Sequence, residues 1–340
     1  YDPIVVFCAK KFHLIFIRIK RRIPMLETLS KENKKQIINE DKIYDKKNSF
    51  QRIRIVLNPI AGKGLWRRTL GFLRKGLREK GYHVEVIPTK GPGHAMEAVQ
   101  DIEEDYAVLT LGGDGTINEV INGLGDKKVP IAIFPVGTGN VLCKEFNIPS
   151  QPEEFLETFS SGVVREIDLG FSSLGRQFHS FLGAGFDGHI VREISKVRKG
   201  NMSQLNYVLP VIKAARSYQA SKIRVVVDGK EVTQEATTVL IGNVKSYGGP
   251  LQITRKASVD DGLLDICFVT GNGFLNWARY IWGMFRRNLD KYQDVQYFRG
   301  KEILLESEEE TPVQIDGDYA GTLPVEVKVL PRQTSLLVPV

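Results

Sequence analysis

Cysteine is scarce in this 340-residue chain: Cys8, Cys143 and Cys267 are its three, and they lie far apart. That spacing excludes a disulfide-stapled scaffold, offers no paired thiols to zinc, and fits buried thiols in a reducing compartment. Long apolar runs are missing too. Ile4 to Ala9 and Phe12 to Ile17 are split by Lys10 and Lys11, short of the roughly 18 residues that a membrane-spanning helix needs. Basic residues flank these patches on both sides and no small-residue cleavage site follows, so a secretory signal peptide fits poorly. The chain also lacks a basic body. Its net charge is +7, but residues 1–50 hold 12 Lys and Arg against 6 Asp and Glu, and the other 290 residues carry about +1. The charge therefore belongs to an N-terminal extension, and no nucleic-acid groove is indicated.

What is present is ordinary globular material, 42% hydrophobic and 26% charged, long enough for two domains with separate cores. The extension starts at Tyr1, and its first Met is Met25, just after Arg18, Lys20, Arg21 and Arg22. Two expectations stay open for residues 1–24: they lie on an anionic membrane surface, or they precede a translation start at Met25. Residues 27–50 are polar and read as a linker.

From Arg52 the texture changes. Ile53 to Leu57 reads as a β-branched strand, and a helix follows from Trp66 to Lys80. The alternation repeats as His83 to Ile87 with Pro92 to Glu103, Ala107 to Leu111 with Ile117 to Leu124, and Ile131 to Phe134 with Gly139 to Glu145. Strands alternating with helices imply crossovers and a parallel sheet with ligands at the carboxyl ends of the strands. Each of those ends carries polar or glycine residues: Asn58, Pro59, Ile60, Ala61 and Gly62; Thr89; Gly112 to Asn118; and Gly137 to Asn140. In Gly112, Gly113, Asp114, Gly115, Thr116, an apolar strand ends in glycines and hands over to a helix, so backbone N–H groups face outward at a positive dipole end. A carboxylate inside such a loop repels phosphate unless a cation lies between them, and Thr116 adds a hydroxyl. The loop reads as a metal-nucleotide site. The first turn is no P-loop, since Gly64 stands where Ser or Thr is needed after Lys63, and it is no GxGxxG fingerprint.

After the helical Pro152 to Ser160 the chain becomes strand-rich, with Val164 to Phe171, Gln177 to Leu182, Ile223 to Val227, Thr237 to Ile241 and Leu264 to Val269. Helices are expected at Asp187 to Lys196 and Leu205 to Tyr218. Shorter strands with Gly and Asp turns point to an antiparallel sheet or sandwich. The expected fold is thus α/β: a doubly wound parallel-sheet nucleotide domain over 51–150, a β-rich, sandwich-like domain over 151–325, and a segment 326–340 returning to the first domain. Asp316, Gly317, Asp318 lie between the strand-like Val313 to Ile315 and Leu323 to Leu330. A hairpin turn accounts for Asp-Gly, while two carboxylates flanking a glycine also suit a cation or a proton. The run Phe274 to Asn288 has an apolar stripe at helical spacing ending in Arg286 and Arg287, which suits core packing, a headgroup interface or the wall of an acyl-chain cleft.

These motifs together resemble the diacylglycerol kinase catalytic family, bacterial lipid kinases related to sphingosine kinases and more remotely to NAD kinases. The resemblance runs from Arg52 to the C-terminus through NPIAGKG (58–64), GGDGTINEVING (112–123), PVGTGN (135–140), GAGFDG (183–188), GNVKSYGG (242–249), SVDDGLLD (258–265) and IDGD (315–318). It implies a cytoplasmic enzyme at the inner face of the membrane, using ATP and Mg2+ to phosphorylate diacylglycerol to phosphatidic acid, with a homodimer as an open option. Rivals are another lipid acceptor (a sphingoid base, a monoacylglycerol or phosphatidylglycerol), an NAD kinase, or a non-catalytic lipid or nucleotide sensor. By the same resemblance, Asn58 to Gly62, Thr89, Gly112 to Asn118 (with Ile117) and Thr138 hold the nucleotide. A structural magnesium falls to the Asp261 side chain and the backbone carbonyls of Ser258 and Leu263. The catalytic base falls in Asp316 to Asp318, but the family usually has Glu where this chain has Asp318, one methylene shorter, which leaves Asp114 as the other candidate base.

Overall fold

The computed structural model describes residues 43–44, 50–64, 66–197, 213, 214, 216–247 and 251–340. Residues 1–24, most of the helix expected from Leu205, and Gly248 and Gly249 of the 242–249 motif lie outside the described residues.

After the two-residue β1 (Ile43–Tyr44), the strands β2 (Arg52–Leu57), β3 (His83–Pro88), β4 (Tyr106–Gly112) and β5 (Pro130–Pro135) run parallel in the order β3-β2-β4-β5. Ile53 to Leu57, Ala107 to Gly112 and Pro130 to Phe134 are buried throughout, as strands covered by helices on both faces must be. The helices are α1 (Trp66–Glu79), α2 (His94–Glu97), α3 (Asp114–Leu124), α4 (Val141–Glu145) and α5 (Pro152–Ser161). Because β2 lies between β3 and β4, the crossovers leave it in opposite directions, and a ligand crevice opens at the carboxyl ends of β2 and β4.

Two helices of this first part differ from the sequence expectation. α3 starts at Asp114 rather than Ile117, so the Asp114, Gly115, Thr116 stretch is its first turn. The helix expected over 92–103 shrinks to α2. The buried Arg54 guanidinium donates to the Ala98 carbonyl at 2.8 Å and pairs with Asp101, claiming a carbonyl that the helix would need in order to continue.

The remaining elements are β6 (Val163–Ser172), β7 (Arg176–Phe178), β8 (Phe181–Gly185), α6 (Phe186–Val197), β9 (Ile223–Val227), β10 (Lys230–Ala236), β11 (Thr238–Gly242), β12 (Ser246–Tyr247), β13 (Leu251–Gln252), β14 (Leu264–Val269), α7 (Phe274–Arg286), β15 (Val295–Gly300), β16 (Glu302–Glu306), β17 (Pro312–Ile315), β18 (Asp318–Thr322) and β19 (Val325–Val338). Six of them form an antiparallel sheet in the order β15-β14-β11-β8-β17-β18. Its Leu182, Val239, Ile266 and Val313 pack against Val225, Ile303, Leu305 and Val327 of β9, β16 and β19 in one buried cluster, the core of a sandwich.

β19 unites the molecule. Its first part pairs with β16, its last part runs parallel to β5 at Ser335 and Leu336, and β6 lies antiparallel to it from Val327 to Val338. Parallel and antiparallel strands thereby join in one eleven-stranded sheet. The first core draws Phe155, Phe159, Ile167 and Leu169 from beyond residue 150, and Leu336, Leu337 and Val338 from the end of the chain.

Candidate active site

The register of the parallel strands fixes where their loops begin. Leu57 stands opposite Leu111 and Pro88, and Gly112 opposite Pro135, so the residues after each strand share one edge. There the Asn58 N–H donates to the Leu111 carbonyl at 2.9 Å, and the Thr89 N–H to the Leu57 carbonyl at 2.7 Å. The Asn58 side chain donates to Thr116 Oγ1 at 3.2 Å, and its Oδ1 accepts from the Ile60 N–H. The expected nucleotide residues are thus gathered at one edge, in different postures. Ile60 and Thr138 are exposed, whereas Ala61 and Ile117 turn their side chains into the core and offer only backbone.

Two loops meet closely here. A Cβ on Gly137 would lie 2.6 Å from the Gly113 Cα, so only glycine lets the β4–α3 turn and the loop after β5 touch. No side chain caps α3, and Asn140 Oδ1 is buried without a partner among the described residues. Uncapped N–H groups in a glycine-walled corner fit a phosphate group. Asp114 is already engaged: its Oδ1 accepts from the Val141 N–H at 2.8 Å.

A second cluster docks on α3 from the sandwich. The Asp316 carboxylate, 3% exposed, accepts hydrogen bonds from Asn118 Nδ2 (2.7 Å) and from the backbone N–H groups of His179, Ser180 and Phe181 (3.0, 3.0 and 2.9 Å). Gln177 to Leu182 is consequently not the single strand that its sequence suggests. It breaks into β7 and β8 because these N–H groups turn to the carboxylate rather than to a neighbouring strand. His179 Nδ1 lies 2.8 Å from Asp316 Oδ2, and the ring is wholly buried. Burial works against the charged imidazole, but the Asp316 charge and hydrogen bond, with Asp114 adding to them, hold its pKa above the ordinary value. Burial likewise opposes the Asp316 charge, and His179 and the backbone donors nevertheless hold that carboxyl below its ordinary range.

Asp316 and Gly317 have φ of 48° and 86°, and Ile315 pairs with Asp318. This is the two-residue hairpin turn that Asp-Gly favours. The Gly317 N–H donates to Gln314 Oε1 at 2.7 Å, and Gln314 Nε2 donates to the half-buried Asp187 at 2.7 Å. Asp318 follows at the exposed start of β18, and its carboxylate has no hydrogen-bond partner among the described residues. The structure therefore brings Asp114, Asn118, His179 and Asp316 into one neighbourhood, with Asp318 on its rim. Sequence reading passed over His179, for nothing about a lone histidine in an apolar run singles it out.

The loop 258–263 is separate. Asp261 Oδ1 accepts from the Leu263 N–H (3.1 Å), its other oxygen pairs with Arg299, and Ser258 Oγ donates to Asp260. Asp265 is pushed up to about 6, chiefly by burial, with Arg299 opposing and Asp261 adding to the rise. Asp168 is raised chiefly by burial, with Asp261 and Asp260 contributing. Asp260 and Asp265 are also held by arginines, Arg165 and Arg299, so a hard cation here would share Asp261 with Arg299 beside backbone oxygens. Among the described residues no three His, Cys, Asp or Glu side chains converge as a metal set, so such a cation relies on carbonyls. The loop reaches the site indirectly: Gly262 N–H to Asp168 Oδ2 (2.6 Å), Asn243 Nδ2 to the Asp168 carbonyl (2.7 Å), and Asn243 N–H to the Ser180 carbonyl (2.9 Å).

A phosphate corner at the switch point of a parallel sheet, closed by a carboxylate hairpin from a β-sandwich, defines a two-domain kinase, a phosphotransferase with an alcohol acceptor. Residues 52–172 match the diacylglycerol kinase catalytic domain, and residues 180–338 match the YegS C-terminal NAD kinase beta sandwich-like domain. Both parts of the chain are thus similar to diacylglycerol kinase-type proteins, and the chain is a lipid kinase, a class in which ATP is the phosphoryl donor. It is 27% identical over 297 residues to a diacylglycerol kinase of Bacillus subtilis (strain 168), covering 85% of this chain and 97% of that one. A diacylglycerol kinase of Staphylococcus saprophyticus is 28% identical over 278 residues, 81% of this chain and 91% of that one. Among solved structures, a diacylglycerol kinase from Bacillus anthracis str. Sterne superposes with a TM-score of 0.69 at 25% identity, over 85% of this chain and 97% of that chain. Among the described residues no helix is long and apolar enough to cross a membrane.

Proposed function

We propose that this enzyme transfers the γ-phosphoryl group of ATP to the free hydroxyl of diacylglycerol, giving phosphatidic acid, while resting on the inner face of a membrane. The observation that carries this reading is the Asn118 to Asp316 hydrogen bond, because it joins the phosphate-corner helix directly to the hairpin bearing Asp318. Phosphoryl transfer asks chiefly for positioning and charge neutralisation. The first-turn N–H groups of α3, with Asn58, Thr116 and Thr138, would hold the phosphates. Bound Mg2+ would supply the positive charge that lets the Asp114 carboxylate lie beside them, and a second Mg2+ would be structural, at Asp261 and the carbonyls of Ser258 and Leu263.

The acceptor oxygen forms its bond to phosphorus as the β–γ bridge bond breaks, and the hydroxyl proton passes to a carboxylate. Asp318 suits that role better than Asp114: it is exposed at the rim, whereas Asp114 already accepts from Val141. The deciding experiment incubates the protein with γ-labelled ATP and mixed micelles of diacylglycerol, monoacylglycerol, a sphingoid base or phosphatidylglycerol, with NAD as control. Label in phosphatidic acid is expected. Label in another lipid would replace the acceptor, and label in NADP would replace the lipid altogether.

A further inference from the structure

We propose that the outer face of α7 is the surface by which this protein rests on an anionic lipid bilayer, an inference that depends on the lipid-kinase reading above. Leu275, Arg279, Trp282 and Arg286 are spaced by four, three and four residues, which places them in one stripe along the helix. All four are exposed, Leu275 by 82% and Trp282 by 50%. The opposite face is satisfied without them: Trp277 and Tyr280 are 4% and 1% exposed, and Trp277 stacks on Phe186 at 4.0 Å between centroids. The buried packing of the helix does not include Leu275 or Trp282.

Charge selects the occupant. Arg279 pairs with Asp294 and Arg255 with Asp290, but among the described residues no carboxylate pairs with Arg286, Arg287 or Lys291. The Arg286 guanidinium sits 6.0 Å from the centre of the Trp282 ring. Alternating apolar and basic residues, with Trp beside Arg, suit a headgroup layer in which the apolar groups enter the acyl boundary and the cations meet anionic lipid. A second copy of the chain is a poorer occupant, since the same stripe would set arginine against arginine.

The position suits the chemistry. From Trp277 the contacts run to Phe186, through the adjoining Asp187 to Gln314 and on to the Gly317 N–H, next to Asp318. A bilayer meeting the outer face of α7 is therefore one helix away from the residues that brace the carboxylate hairpin, and the hydroxyl of a bilayer lipid is itself at the interface.

The test uses the full chain, with vesicles of phosphatidylcholine alone or mixed with phosphatidylglycerol. Trp282 emission is expected to shift to the blue on the anionic vesicles only and to be quenched by brominated acyl chains, a signal assigned by its loss in Trp282→Phe. A Leu275→Glu/Arg286→Glu variant with an unchanged melting curve should lose vesicle binding by roughly tenfold or more, yet phosphorylate a short-chain diacylglycerol in solution at the wild-type rate. Trp282 emission indifferent to vesicles, or equal binding by the variant, would overturn the docking surface while leaving the kinase reading intact. A wild-type protein that phosphorylates no lipid, short-chain or micellar, would instead sink the kinase reading itself.

Discussion

The Asp316 carboxylate stands in for a missing strand, gathering three consecutive N–H groups and the Asn118 amide. Removing it leaves those donors and the His179 ring buried and unpaired, so Asp316→Ala should cost about 3–5 kcal/mol in denaturant unfolding. His179, raised above its ordinary 6.5, contributes stability that is fully present below that pH and is lost as pH rises through the raised value. Asp316, lowered from 3.8, contributes above that pH and is lost as pH falls through the lowered value. Between about 3.8 and 6.5 both contributions stand, so unfolding midpoints should decline as pH rises above 6.5, and His179→Gln should flatten that decline. Asp318 makes a different case. Asp318→Ala should lower kcat by roughly a hundredfold with little change in the melting temperature, Asp318→Glu should hold or raise it, and an unchanged rate in Asp318→Ala would remove Asp318 as the base. The Asp-Gly-Asp turn was legible because it stands out in sequence, whereas the backbone N–H groups that Asp316 gathers left no sign there. His179 was not, because its role comes from a break in a strand that its own neighbours do not announce.

At the scale of elements, the strand-end loops and the Asp-Gly hairpin were legible, since glycine, asparagine and alternating strands and helices carry their own local signals. The start of α3 and the brevity of α2 were not. The first needs the turn after β4 to be helical from Asp114, and the second depends on a guanidinium supplied by β2. A close backbone contact in the site gives a test. Gly137→Ala must push the Gly113 loop aside, and nucleotide affinity, measured by calorimetry with a non-hydrolysable ATP analogue, should fall roughly tenfold or more, since the N–H groups proposed to hold the phosphates move together. Gly317→Ala, at a φ of 86°, should destabilise the protein by about 1 kcal/mol and displace Asp318, lowering kcat as well.

For the whole molecule the decisive element is β19. Sequence reading brought residues 326–340 back to the first domain but did not show that a single strand would begin in the sandwich and end beside β5, because register between distant segments leaves no local pattern. Deleting Thr334 to Val340 removes the buried Leu336, Leu337 and Val338 from the first core and strips a partner from both β5 and β6. The truncated chain should lose nucleotide binding and melt without a cooperative transition, while its circular dichroism keeps strand signal from the sandwich. A timing constraint follows from this same strand. β19 emerges from the ribosome after every other described element, and at about 5–20 residues per second the chain spends many seconds with the edges of β5 and β6 uncovered. Nascent chains of this enzyme should therefore gain from chaperones that shield strand edges, and a chain ending before β19 should be cut faster than the full chain in limited proteolysis.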